Sequence, residues 1–366
     1  MTRLLNDILR QPSELSKVLA RLTGPEAGVL SEAAGLIARA QHVYITGIGA
    51  SWAASMGMAT LFEMSGRAVT HIDASELLHF AAIAPGSVIV ALSRSGKSIE
   101  ITELFPQIRA SGARLIAITN GIDSPLTRAA DLSILIETAY DHAVSVNTYS
   151  TIALAGAVLA AVVTEQWSSG LASELERAFE QAAIACSTWR ESMEHSAWFS
   201  FEATTYFLAR GPSLSTCHEA RLLWEEAAKI PATAMSTGAF RHGPQEMIRP
   251  GVRIGLWIDP ARMRDADLSV AGDLRRLGCP VMLIGQSLSH DAADLTLELP
   301  ATPRDWQFVI DMIPAQLAAE RLARLQGVDC DTLRLCPFIV EDESGLIYDG
   351  AQTDGAQTRI KMSDRR

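Results

Sequence analysis

The chain has 366 residues, 48% of them hydrophobic, and a formal net charge of −11. That length leaves room for two domains of ordinary size with a substantial core. No basic stripe offsets the acidic balance, which excludes a nucleic-acid binder. The longest apolar stretch, Thr151 to Val163, is too short to cross a bilayer and reads as a core or interface helix, so no membrane partner is expected. Five cysteines are scattered without a CxxC pair, and no secretory leader is recognisable at Met1-Thr2-Arg3. Reduced thiols in a cytoplasm are the expectation. Cys330 and Cys336 lie close together, but no histidine pattern completes a zinc site, so they read as buried or idle thiols and no metal is expected.

In chain order, Leu4 to Leu22 reads as helical with a break at Pro12. Alternating strand and helix signals then place the chain in the α/β class. Strand His42-Val43-Tyr44-Ile45 leads into Gly47-Ile48-Gly49-Ala50-Ser51-Trp52, which begins like a dinucleotide fingerprint. Asp73 even follows a second strand, where a ribose-binding acid would lie. Trp52, however, stands in place of the third glycine, and an indole there blocks close helix–strand packing, so NAD is not expected. The next strand, Ser87 to Leu92, is bounded by Pro85-Gly86 and ends in Ser93-Arg94-Ser95-Gly96-Lys97-Ser98. An amphipathic helix is expected from Ile99 onward. Gly96-Lys97-Ser98 has the tail of a Walker A motif, but Ala91 occupies the position of its first glycine. Hydroxyls and a glycine thus fall where a strand hands over to a helix, whose free N–H groups and positive dipole end point outward. They suit a phosphate socket, and they equally suit a plain capped turn.

The same unit recurs. Ser111-Gly112-Ala113-Arg114-Leu115-Ile116 precedes Ala129-Ala130-Asp131-Leu132, and Leu277-Gly278-Cys279-Pro280-Val281-Met282 precedes Ala292-Ala293-Asp294-Leu295. This favours duplication of an α/β lobe. The expected organisation is an N-terminal helical arm (1–40), a first lobe (41–167), a connecting helix (168–196), a second lobe (197–344) and a tail (345–366). In the second lobe, strand Thr205 to Ala209 and Arg210-Gly211-Pro212-Ser213 lead to a helix from Leu214 to Ile230 bearing Glu219, Glu225 and Glu226. Glu219 and Glu226 share a face, while Glu225 points elsewhere. The loop that follows holds Arg241-His242-Gly243-Pro244. A carboxylate among apolar neighbours can remove a proton from carbon next to a carbonyl or imine, and a loop histidine can exchange one with a sugar ring oxygen. A solvated acidic helix face and an idle histidine would produce the same pattern.

These residues resemble the double sugar-isomerase (SIS) proteins, especially the isomerase half of glucosamine-6-phosphate synthase. Gln11-Pro12, Gly49-Ala50-Ser51, Ala74-Ser75-Glu76, the Ser93 to Ser98 motif and the Glu219 to Pro244 block follow the family's order and spacing. The resemblance implies two tandem SIS lobes, each a flavodoxin-like three-layer sandwich with a parallel sheet flanked by helices. It implies that Ser51, Ser93, Ser95 and Ser98, with Arg94, bind the sugar phosphate. Glu226 would be the carbon-acid base, and His242, reaching in from a neighbouring subunit, would open the ring. Gly49, Ala50, Val144, Glu219 and Arg241 complete the implied substrate site. A homodimer or higher assembly follows.

The departures matter as much. The synthase's glutamine-hydrolysing domain, which starts with a catalytic cysteine, has no counterpart after Met1-Thr2-Arg3. Phe338 stands where the family's imine-forming lysine lies, Leu223 and Arg241 replace two further lysines, and the lysine of a Thr-Lys motif is replaced within Val146-Asn147-Thr148-Tyr149. A socket and a base without lysine chemistry resemble the stand-alone fructosamine-6-phosphate deglycases and glucosamine-6-phosphate deaminases. These act without glutamine, metal or organic cofactor. A plain aldose–ketose phosphate isomerase and a non-catalytic sugar-phosphate sensor are the alternatives.

Overall fold

The computed structural model describes residues 1–200, 204–343 and 345–346. The expected tail therefore lies outside the described residues, apart from Gly345 and Leu346. Helix α1 (Arg3–Thr23) is capped by Thr2, whose hydroxyl accepts from the Leu5 N–H at 3.1 Å. The expected break at Pro12 does not occur. Proline removes the donor that the Ile8 carbonyl would have used, and the Gln11 side-chain amide replaces it, donating to Ile8 O at 3.3 Å.

Helix α2 (Ala27–Arg39) leads to the first sheet: β1 (Val43–Thr46), β2 (Thr70–His71), β3 (Val88–Ser93), β4 (Arg114–Thr119) and β5 (Leu132–Leu135). All are parallel, in the order β2-β1-β3-β4-β5. The connections are α3 (Ala50–Met64), α4 (Ala74–Phe80), α5 (Ile99–Thr102), α6 (Leu104–Ser111) and α7 (Pro125–Ala129). The run after Ser98 thus forms two helices and not the single one expected. Pro106 has no N–H to offer the Thr102 carbonyl four residues back, so the helix restarts there. Asp73 caps α4 by accepting from the Ser75 N–H at 2.9 Å, which accounts for its place after β2 without a ribose.

Helix α8 (Asn147–Val163) is buried from Asn147 to Ala161 and packs on α1, α2 and α3 of its own chain. The core reading holds, and a contact between subunits through this helix is ruled out because no face is left for one. Helix α9 (Ser169–Glu194) crosses to the second lobe, which contains β6 (Thr205–Ala209), α10 (Leu214–Ala227), β7 (Ala232–Ser236), α11 (Thr237–Phe240), β8 (Arg253–Trp257), α12 (Arg264–Arg276), β9 (Val281–Gly285), β10 (Leu295–Glu298) and α13 (Met312–Gln326).

The second sheet is also parallel, in the order β10-β9-β8-β6-β7. Numbering each lobe's strands from its own start gives 2-1-3-4-5 in both, the flavodoxin-like order. The repeated sequence signals perform repeated work. Asp131 Oδ2 accepts from the Leu115 N–H at 2.8 Å, and Asp294 Oδ2 accepts from the Val281 N–H at 2.8 Å, each tying the last strand to its neighbour. Gly112 and Gly278, which turn the chain into those neighbours, both sit at positive φ, 67° and 81°.

Each sheet is buried on both faces, as parallel sheets with βαβ connections must be. Along β3, Ile89 and Ala91 pack towards α4 to α7, while Val88, Val90 and Leu92 join the core shared with α1, α3 and α8. In the second sheet Leu208, Ile254, Leu256 and Leu283 pack with α12, and Phe207, Trp257, Met282 and Ile284 belong to that same shared core. One continuous hydrophobic core, with α1, α8, α9, α10 and α13 in it, therefore joins the two sheets.

Candidate active site

In a doubly wound sheet the crevice opens outside the carboxyl ends of the strands where the strand order reverses. In the first sheet that point lies between β1 and β3, whose ends carry Gly47 to Ser51 and Ser93 to Ser98. A cavity of about 290 Å³ is found there. Ser51, Ser93, Ser95, Ser98, Gly49, Ala50, Arg94, Val144 and Glu226 all line it. The structure thus gathers the expected phosphate ligands and the expected base from two lobes into one enclosure.

The serine loop is built to offer protons. Ser93 Oγ accepts from the Gly96 N–H at 3.0 Å, and Ser95 Oγ accepts from the Lys97 N–H at 3.2 Å. A hydroxyl that accepts still has its own proton to donate. Ser98 is the N-cap residue of α5 but makes no capping bond with its side chain, so its hydroxyl is uncommitted. Ser51 lies in the first turn of α3, a helix long enough to present its positive end to an anion. The tightness of the loop demands glycine: Gly96 has φ 66°, and a Cβ there would come within 2.2 Å of Ser124 Oγ. At α5 the expectation of outward-facing amides is corrected. The Ile99 N–H donates to Val340 O at 3.0 Å, so that amide is already used.

The opposite wall comes from α10 and from the strap after α13, including Leu333 and residues 336–340. Arg94 reaches across the cavity: its guanidinium lies 4.0 Å from the centroid of the Phe338 ring and donates to Phe338 O. Phe338 thus supplies a surface for a cation. Glu226 is half-buried, and the protein packed around its carboxyl pushes it up to about 7, against the pull of the Arg94 and Lys229 charges. Glu219, two turns earlier on α10, is fully enclosed and does not line the cavity. Burial, reinforced by the Glu226 charge, raises its carboxyl far above the usual range. The pair is therefore split, with Glu219 held neutral and Glu226 poised to titrate near neutrality. Glu225 faces away and pairs with Arg221 at 2.7 Å.

Arg241 and His242 are not brought into this cavity. Both are exposed on the loop after α11, at the edge strand of the second sheet. Two contributors, Asp141 and Glu100, went unnoticed in the sequence, and a third, Cys336, differs from its expected role. Asp141 accepts from the Val146, Asn147 and Thr148 N–H groups, at 3.0, 2.8 and 3.0 Å, and so shapes the loop that carries Ala143, Val144 and Ser145 into the cavity. An aspartate six residues before Asn147-Thr148 is a weak capping signal. Glu100 lines the cavity beside the serines, its carboxyl raised by burial. Cys336, expected with Cys330 to be a buried or idle thiol, instead lines the cavity and is exposed, whereas Cys330 and the other three cysteines are buried. Nothing in the local sequence marks Glu100.

Residues 36–165 match the SIS domain family. That match spans the first lobe. Over 348 residues the chain is 25% identical to a glutamine–fructose-6-phosphate aminotransferase (isomerizing) of Bacillus subtilis, covering 90% of this chain and 57% of that protein. The chain therefore spans a little over half the length of that relative. Among solved structures, the glucosamine-6-phosphate deaminase of Thermotoga maritima superposes with a TM-score of 0.78 at 18% identity, covering 93% of this chain and 99% of the other. The C-terminal domain of the glucosamine-fructose-6-phosphate aminotransferase of Francisella tularensis also gives 0.78, at 22% identity, covering 91% and 98%. At such identities these structures establish the two-lobed α/β fold, and the serine loop falls within the residues matched to the SIS domain family. Among the described residues no helix is long and apolar enough to cross a membrane, and no group of three or more His, Cys, Asp or Glu side chains could hold a metal ion.

Proposed function

We propose that this protein is an enzyme acting on a phosphorylated amino sugar, as a ketosamine-6-phosphate deglycase or a glucosamine-6-phosphate deaminase. The observation that carries this reading is Glu226: a carboxyl raised to about 7 shares one cavity with Ser51, Ser93, Ser95 and Ser98, and no lysine stands among the described residues lining it. The matched strand order supports the second lobe as a further copy of the same domain. Similarity to an isomerizing aminotransferase and a deaminase supports the phosphosugar class.

The chemistry follows from the base. The serine hydroxyls and the α3 N-terminus hold the phosphate. In a 1-amino ketose phosphate, Glu226 takes a proton from C1, leaving an enaminol; return of a proton to C2 gives the C1 imine. Water adds to that imine, the C–N bond breaks, and an aldose phosphate and a free amine depart. In a 2-amino aldose phosphate the proton leaves C2 and hydrolysis releases ammonia. The amine is already on the sugar, so no enzyme lysine is required. His242, exposed and outside its own chain's cavity, serves the site of a second copy, which makes the working protein at least a dimer.

The test is a panel of amino-sugar phosphates scored for amine release, with carbon-bound proton exchange in deuterated water read alongside. Release together with exchange supports the proposal. Exchange and interconversion of fructose 6-phosphate, without amine release from any member, identifies a plain isomerase. Tight binding with neither exchange nor release identifies a sensor.

A further inference from the structure

Proton removal from carbon needs a second group besides the base. The electron pair left behind runs to the neighbouring carbonyl oxygen, and an oxyanion in an enclosed site requires a donor or a cation beside it. Among the described residues lining the cavity, Arg94 is the one cation. Its backbone belongs to the serine loop, but its guanidinium rests against the strap, on the Phe338 ring at 4.0 Å and on the Phe338 carbonyl. That strap and α10, which carries Glu226, form one wall. The charges of Arg94 and Glu226 act on each other, and Arg94 is the strongest pull against the rise of the Glu226 carboxyl. A ring and a carbonyl orient a guanidinium without neutralising it. Among the described residues no carboxylate forms an ion pair with Arg94, so N–H donors and a full charge are left to offer.

The resemblance implies a phosphate ligand at Arg94, yet its side chain crosses the cavity away from the serine hydroxyls. We propose that Arg94 is a catalytic residue, the electrophile that holds the substrate's carbonyl oxygen while Glu226 removes the proton from the adjacent carbon. The proposal rests on the reading of Glu226 as the base. In a 1-amino ketose phosphate Glu226 takes a C1 proton, the C–H pair becomes the C1–C2 double bond, and the carbonyl pair moves onto O2. The product is the enaminol as its oxyanion, beside the guanidinium. Glu226 then gives its proton to C2 through the double-bond pair, the nitrogen lone pair closes the C1 imine, and the nitrogen's proton passes to O2. In a 2-amino aldose phosphate the same charge collects on O1. During abstraction negative charge leaves Glu226 and arrives on oxygen, and one fixed cation stays close to it throughout. Arginine keeps its charge at every working pH, so it stabilises that oxygen without giving up a proton.

The experiment separates chemistry from binding. Exchange of the carbon-bound proton in deuterated water is followed by NMR for 1-amino-1-deoxyfructose 6-phosphate and glucosamine 6-phosphate. Sorbitol 6-phosphate, which has no carbonyl to react, reports phosphate binding by calorimetry. Arg94→Met should slow exchange at saturation by about 10²–10³-fold, the usual loss on removing one oxyanion donor. KM should stay within about threefold, and sorbitol 6-phosphate affinity within about twofold. Arg94→Lys, which keeps the charge, should recover about tenfold of the lost rate. Phe338→Leu, at an exposed position, keeps the charge but removes its support, and should slow exchange about tenfold with sorbitol 6-phosphate affinity unchanged. The inflection of kcat/KM should move up from about 7 in Arg94→Met, because Lys229 and Arg221 then oppose Glu225 and desolvation without it. Weaker binding of sorbitol 6-phosphate that accounts for the whole loss of exchange makes Arg94 a phosphate ligand and overturns the proposal, while Glu226 stands as the base. Exchange of neither probe by the wild type sinks the reading of the base, and this proposal with it.

Discussion

The two lobes share a scaffold and differ where it opens. In both, a glycine at nearly the same φ, Gly49 at 56° and Gly211 at 55°, follows the first strand. In the first lobe the crest beyond it carries serine hydroxyls with protons to give and an open cavity. In the second lobe the same crest is closed by its own charges. Asp259, after β8, accepts from the Arg262 and Met263 N–H groups at 2.5 and 2.6 Å, taking the amides an anion would use. Arg210 is paired with the buried Asp267 at 2.7 Å, and Ser213 donates to the buried Asp311 at 2.6 Å. A carboxylate in that position repels phosphate, so of the two crests only the first is open to an anion. The second lobe contributes Glu226 to that open cavity instead, from the side of α10.

The contrast is broken most directly at the two acids. Glu226→Gln should lower kcat by about 10²–10⁴-fold, the usual contribution of a general base, with KM little changed. Asp259→Asn, at the second crest, should leave kcat within a factor of about two. Loss of activity in Asp259→Asn, with Glu226→Gln unaffected, would move the chemistry to the crest of the second sheet.

Next come the hydroxyls. Ser95→Ala removes one charge-assisted hydrogen bond, worth about 1.5–3 kcal/mol, so KM for a sugar phosphate should rise tenfold or more. Ser213→Ala, whose hydroxyl serves Asp311, should change stability and not KM. Steady-state kinetics with parallel thermal melts separate these outcomes.

The pH dependence sharpens the assignment. A base must be deprotonated, so kcat/KM should climb about tenfold per pH unit below about 7 and level off above it. Stability runs the other way. Between the ordinary glutamate value of 4.5 and about 7, native Glu226 keeps a proton that the unfolded chain has lost, so its contribution falls as pH rises through that window. Glu226→Gln should remove that part of the slope in denaturant titrations at pH 5 and pH 7.5.

The smallest effects test the likeness of the lobes. Asp131→Ala and Asp294→Ala each strand one backbone N–H, and each should cost about 1–2 kcal/mol in chemical denaturation, with KM unchanged. A loss several times larger in one lobe than in the other would show that the repeated aspartates carry unequal loads.

The sequence by itself determined the local features. Apolar strand runs, glycine turns and the Ala-Ala-Asp-Leu repeat were legible because strand burial and positive-φ turns impose composition at fixed spacing. Ser93 to Ser98 stood out because hydroxyls and glycine at a strand-to-helix switch are a local chemical pattern. Pro12 misled, since the compensating Gln11 amide is a side-chain choice that propensity does not contain, and Pro106 split a helix that the apolar pattern joined. Tertiary structure alone decided what surrounds Glu226. Its elevated carboxyl comes from desolvation beneath a strap about a hundred residues on in the chain, and Arg94 meets Phe338 across 244 positions. Whether α8 faced a partner or its own core was likewise undecidable from an apolar run, because either neighbour rewards burial equally. Desolvation depends on what the whole chain brings near a group, and no local pattern of residues encodes it.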